Sequence, residues 1–207
     1  MKKGALIEKV RQEVLQNGLL SNDDLGRYSF RKCELDIQSV WADSIAILVR
    51  DSASLDYFSK TYDGQDHTGV PIEYDQDRKE YYIDLPVNIL QLPANAGVCL
   101  VKPHGATTRR FYPSNNAKID LMSDLDNKYY DRTLYVLDGQ DRLRIVFFDY
   151  ASRNVRKVTL KLIPDFLSYG YDEEVNLPSG KNVEFFNILA KSLFQSNKFK
   201  DTNSDSN

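Results

Sequence analysis

The spacing of apolar residues changes once along the chain, and that change constrains the fold more than any other feature. Over residues 3–17, Leu6, Ile7, Val10 and Val14 recur at steps of three and four, the spacing of one helical face. Gly18 stands where a left-handed residue ends a helix, and Leu19 is placed for the hydrophobic contact that follows such an end. Residues 29–51 carry a second stripe of Phe30, Cys33, Ile37, Val40, Trp41 and Leu48, widened by Ile45 and Ile47. A stripe this wide packs against more than one neighbour.

Beyond residue 55 the period becomes two. Tyr81, Ile83 and Leu85 alternate with Glu80, Tyr82 and Asp84 as far as Pro86, a strand pattern. Residues 97–101 form a short apolar run between Pro93 and Pro103. Leu134–Leu137 and Arg142–Phe148 flank Asp138-Gly139, a strong hairpin signal. Val158, Leu160 and Leu162 alternate with Lys157, Thr159 and Lys161 until Pro164 closes the strand. Residues 62–69 and 113–116 are turn-rich. Residues 103–132 read as one long irregular excursion, the kind of segment that often carries function.

Pro178-Ser179-Gly180 is a helix-start signal, with Ser179 as N-cap. Val183, Phe186, Leu189, Ala190 and Leu193 continue that helix to residue 197. The order of two helices, about five strands and a final helix gives an α+β expectation: a helical bundle from N- and C-terminal helices with an inserted antiparallel β module. The expected parts are 1–54 with 179–197 as the bundle, 55–178 as the β-rich insertion and 198–207 as a polar docking tail.

Composition enters where chemistry is at stake. The 207 residues hold 27 basic against 30 acidic side chains, a net charge of -3, unlike the strong basic excess of a generic polyanion binder. Two cysteines without a CxxC pair suit a reducing compartment and no thiolate zinc site. No apolar run reaches the ~18 residues of a membrane span. The basic start at Lys2 and Lys3 is followed at once by Glu8, Lys9 and Arg11, so no signal-peptide core is expected there.

No GxGxxG, GxxxxGK[ST] or GxSxG pattern occurs. His67 sits in a Gly/Asp turn and His104 between Pro103 and Gly105. Each reads as a solvated loop histidine, since neither has a visible nucleophile beside it. Asp63, Asp66, Glu73, Asp75 and Asp77 lack the register and terminal Glu of a calcium loop. The sequence therefore points away from an enzyme and calls for no cofactor or metal. Arg109, Arg110, Phe111 and Tyr112 place basic beside aromatic residues. They read either as an exposed contact for phosphate and a base, or as an edge strand whose arginines lie over apolar surface. The 13 Tyr and 10 Phe favour an assembly surface or simply a β core.

The ordered phrases resemble the ring, or head-to-tail connector, virion proteins of crAss-like and related tailed phages of Bacteroidetes hosts. They are Leu6-Ile7-Glu8-Lys9-Val10; Asp36-Ile37-Gln38 with Trp41-Ala42; Tyr82-Ile83-Asp84-Leu85-Pro86; Gly97-Val98-Cys99-Leu100-Val101; Leu160-Lys161-Leu162-Ile163-Pro164; and Val175-Asn176-Leu177-Pro178, followed by a helix and the tail Lys200-Asp201-Thr202-Asn203-Ser204-Asp205. The resemblance implies a portal-adaptor-like ring in the virion neck or tail, assembled in the host cytoplasm. It implies a cyclic, twelve-fold assembly that contacts the portal and neighbouring ring or tail proteins. DNA would be transit cargo in the lumen, and no membrane would be involved. The terminal helix and tail would dock on the partner, with Phe194, Lys198, Phe199, Lys200 and Asp201 as contacts. The alternatives are a lower tail or stopper ring, or a nucleic-acid or glycan-binding module built on Arg109, Arg110, Phe111 and Tyr112.

Overall fold

The computed structural model describes residues 1–16, 29–51, 53–124, 132–148 and 153–177. The chain divides into two units, Met1–Phe58 with Phe166–Asn207, and Ser59–Asp165.

The first unit is built on α1 (Lys3–Gln16) and α2 (Phe30–Arg50). Leu6, Ile7, Val10 and Val14 are buried, as the spacing predicts. The first helical N–H groups have no partner within a helix. Here the Lys3 and Gly4 N–H groups donate to the carbonyls of Glu173 and Tyr171, both at 2.9 Å. In α2 the Ser29 side chain caps the helix by accepting from the Lys32 N–H at 3.1 Å. Cys33, Ile37, Val40, Trp41 and Ile45 are buried, whereas Ile47 is 55% exposed. Phe166, Tyr169, Val175 and Leu177 complete this core from a segment with no α-helix. The Trp41 ring lies 5.9 Å from Phe166 and 6.3 Å from Tyr169, and its indole N–H donates to the Asn176 carbonyl at 3.2 Å.

The second unit contains two sheets around one core. In the first, β9 (Lys157–Leu162) is central. One of its edges takes β1 (Lys60–Tyr62) and then β2 (Val70–Pro71); the other takes β5 (Val98–Pro103), all antiparallel. The second sheet has the order β3 (Glu73–Asp75), β4 (Glu80–Asp84), β8 (Arg142–Phe147), β7 (Thr133–Asp138), β6 (Tyr112–Pro113). Only the β6–β7 pair in it is parallel. Val158, Leu160 and Leu162 of one sheet share a core with Ile83, Leu143 and Ile145 of the other. The hairpin turns at Gly139, whose φ of +73° is strained for any residue with a Cβ. α3 (Asn116–Asp124) brings Ile119 onto the outer face of the second sheet, over Leu134 and Val136. This is why β7 is buried on both faces and reads as a continuous apolar run.

A helical bundle with an inserted β module is therefore not the architecture. Among the described residues, three α-helices stand beside nine strands in two sheets. The wide stripe of α2 is met by α1 and by the 166–177 segment, which holds a short 3-10 turn at Phe166–Ser168 and no α-helix, so no third α-helix is needed to cover it there. Residues 103–132 are not irregular throughout, because they contain β6 and α3. The helix expected at 179–197 and the tail at 198–207 lie outside the described residues. No described helix is long and apolar enough to cross a membrane.

Candidate functional site

The sequence-derived contact Arg109–Tyr112 lies where the chain doubles back on β5. After Pro103 a turn closes with the Ala106 N–H donating to the Pro103 carbonyl, Gly105 taking a φ of +76°. The chain then returns, and the Phe111 N–H donates to the Val101 carbonyl at 2.8 Å. Side chains alternate across such extended backbone. Phe111 faces inward: it is 3% exposed, with its ring 6.2 Å from Phe147. It is a core residue and cannot stack on a base, which corrects its place among the exposed contacts. Tyr112 is half-buried and packs toward Ile119, Leu134 and Val136.

Arg109 and Arg110 are exposed. The Arg110 guanidinium lies 5.4 Å from the Tyr112 ring centre, and that of Arg132, just before β7, lies 4.7 Å from it. Two cations thus share one aromatic ring, an arrangement that can meet an anionic group. Arg132 was not legible from sequence, because about twenty residues separate it from Tyr112.

The outer face of the second sheet carries a polar ladder set by the register of β4 on β8. Arg144 donates to Glu80 at 2.8 Å and to the Asn116 side chain at 2.7 Å. Arg142 donates to Asp84 at 2.9 Å and lies 4.2 Å over the Tyr82 ring. The Tyr82 hydroxyl donates to Glu73 at 2.6 Å, and this bond holds the phenol above its ordinary value. At the sheet edge Tyr74 is 48% exposed and continues inward as a ring series, 4.9 Å to Tyr81 and then 5.1 Å to Phe147.

A buried charged pair lies in the helical unit. Lys3 and Glu34 are each 2% exposed, with Nζ and Oε1 2.6 Å apart. Nζ also donates to the Tyr169 carbonyl at 2.8 Å and lies 5.2 Å from the rings of Phe166 and Tyr171. Arg31 holds the second Glu34 oxygen at 2.6 Å. Burial pushes the Glu34 carboxyl up, but the hydrogen bonds and charges of Lys3 and Arg31 outweigh it and hold the group below the ordinary range. Sequence did offer a signal for Glu34, a charge between Cys33 and Ile37 on the apolar face of α2. Lys3 gave none.

His67 and His104 are both exposed. His67 takes a left-handed φ of +55°, and His104 has Nδ1 3.4 Å from the Thr159 hydroxyl. Cys33 and Cys99 are not joined in a disulfide, and their thiols donate to the carbonyls of Ile7 and Ala96. Among the described residues no group of three or more His, Cys, Asp or Glu is placed to hold a metal ion. The expected docking residues Phe194, Lys198, Phe199, Lys200 and Asp201 lie outside the described residues. Compared with known proteins, the sequence matches no family model and no curated protein.

Proposed function

We propose that this protein is a phage virion structural protein that forms a ring in the head-to-tail connector, with DNA passing through the lumen. The observation that carries the reading is the division into two units, each with its own core and its own exposed apolar side chains. A head-to-tail ring needs two different complementary patches on every subunit. Leu35, Ile47, Tyr57 and Tyr171 supply exposed apolar surface on the helical unit, and Tyr74 supplies an aromatic at a sheet edge of the β unit. Aromatic residues of this kind are enriched in protein interfaces. The ordered phrases of the sequence support the same class of protein. In this reading the terminal segment docks on the portal through Phe194, Lys198, Phe199, Lys200 and Asp201.

The test is light-scattering mass of the full chain alone and after mixing with the portal protein encoded by the same genome. The expected result is joint elution in ring stoichiometry, lost on removal of residues 198–207. A chain that ignores the portal overturns the portal-proximal reading. Unchanged docking by the truncated chain overturns the role of the tail.

A second reading has one specific observation in its favour, the pairing of Arg110 and Arg132 over Tyr112. It makes the β unit a nucleic-acid contact. Binding to single-stranded DNA that falls steeply with salt is its expected result, and absence of binding at low salt removes it.

A further inference from the structure

Between β1 and β2 the chain leaves the edge of β9 for residues 63–69 and then rejoins it. The excursion is closed at its neck, where the Gly69 N–H donates to the Asp63 carbonyl. Both neck glycines are required. Gly64 and Gly69 have φ of +72° and +90°, and a Cβ on Gly69 would lie 2.8–2.9 Å from His104 and Lys157. Inside the excursion Asp66 and His67, which are not glycines, both hold φ of +55°. Such strain persists only where the surroundings fix it, and it concentrates at binding sites.

Beside this excursion is a cleft of about 820 Å³, within the size range of small-ligand sites. Its walls combine Tyr62, Pro71 and Pro86 with the polar groups of Asp63, Gln65 and Lys157. One Asp63 carboxylate oxygen is sealed from solvent and has no hydrogen-bond partner. A desolvated acceptor of this kind costs free energy until a donor reaches it. Lys157 and Gln65 offer donors in the same cleft, and the charges of Asp63 and Lys157 cancel across its lining.

We propose that this cleft binds a neutral polyhydroxylated ligand, a saccharide. A sugar ring supplies hydroxyl acceptors for Lys157 and Gln65, an apolar C–H face for Tyr62 and the two prolines, and a hydroxyl donor for Asp63, whose carboxylate must rotate to present its enclosed oxygen. A cationic ligand would satisfy Asp63 but meet repulsion from Lys157. The cleft lies within the β unit, and its proposal does not depend on the ring reading.

The experiment is an NMR titration of the nitrogen-labelled full chain with glucose, galactose, mannose and N-acetylglucosamine, following the Gly64 and Gly69 amides. At least one sugar should shift these amides. Asp63→Ala should weaken its binding about tenfold, the worth of one hydrogen bond to a charged group. Lys157→Ala, a change at an exposed position, should also weaken it and serves if the Asp63 variant misfolds. No response to any of these sugars, or equal binding by both variants, overturns the proposal. Butylammonium shifting the same amides while no sugar does would overturn it in favour of a cation site.

Discussion

Replacing Lys3 by Met removes one half of a buried ion pair while keeping most of the aliphatic stem. In the native protein the ammonium meets Glu34 at 2.6 Å and the Tyr169 carbonyl at 2.8 Å. Lys3→Met leaves that carbonyl without its ammonium donor and leaves Glu34 with Arg31. Breaking a buried pair from one side costs about 3–5 kcal/mol, and the surviving Arg31 contact places this case near the lower end, about 3 kcal/mol. Glu34→Gln keeps the shape but loses two charge-assisted bonds, for about 2 kcal/mol. The double variant should cost about 3 kcal/mol rather than the sum, because a neutral amide in place of the Glu34 carboxylate no longer needs Lys3. The coupling is then about 2 kcal/mol. Trp41 is the single tryptophan and packs against Phe166 and Tyr169, so urea unfolding followed by its fluorescence reads this unit. A Lys3→Met cost below about 1 kcal/mol, or single-variant costs that simply add, would refute the buried-pair argument.

The same pair gives the helical unit an acid limit. Because the Glu34 carboxyl is held below its ordinary value of 4.5, its contribution is fully present above that value and is lost as pH falls through the lower folded value. Trp41-detected stability should therefore drop on acidification, and Glu34→Gln should flatten that drop. Phe111→Ala should destabilise the β unit by about 3–5 kcal/mol, whereas Arg110→Ala should stay within about 0.5 kcal/mol, as measured by far-UV circular dichroism during denaturation. Equal effects would contradict the inward placement of Phe111. Gly139→Ala, forcing a Cβ into a φ of +73°, should lower stability by about 1–2 kcal/mol in the same assay. An unchanged midpoint would mean that the hairpin can turn another way.

The long periodic segments were legible in the sequence. The expected helices at 3–17 and 29–51 become Lys3–Gln16 and Phe30–Arg50, because an apolar stripe over several turns has no other use. The β4 alternation and the β7–β8 hairpin also follow their patterns, and in β9 all three inward residues are buried. What escaped was short or depended on distant neighbours. β1, β2, β3 and β6 have two or three residues each, too few to show a period. α3 carries little of an apolar stripe, and its position follows from β7 needing cover on its outer face. The bundle expectation failed at Phe166, Tyr169, Val175 and Leu177, whose irregular spacing does not announce that they cover a helix. At the candidate contact, adjacency along the chain suggested one patch, but the alternation of extended backbone sends Phe111 inward and leaves Arg110 to meet Arg132.

The pairing of Lys60 with Leu162 has a consequence for the order of folding. The chain enters the β unit along β1 and leaves along β9, which are neighbours, so a formed sandwich holds its own entrance and exit together. The helical unit must otherwise close a loop of about a hundred residues before Phe166 and Tyr169 can reach Trp41. With the sandwich in place the effective loop is under about ten residues, which removes about 2 kcal/mol of closure entropy. On the ribosome, α1 and α2 emerge first yet wait for the last of their partners, with Trp41 uncovered for several seconds at ordinary synthesis rates. The two helices, made before the β unit, are covered only after it.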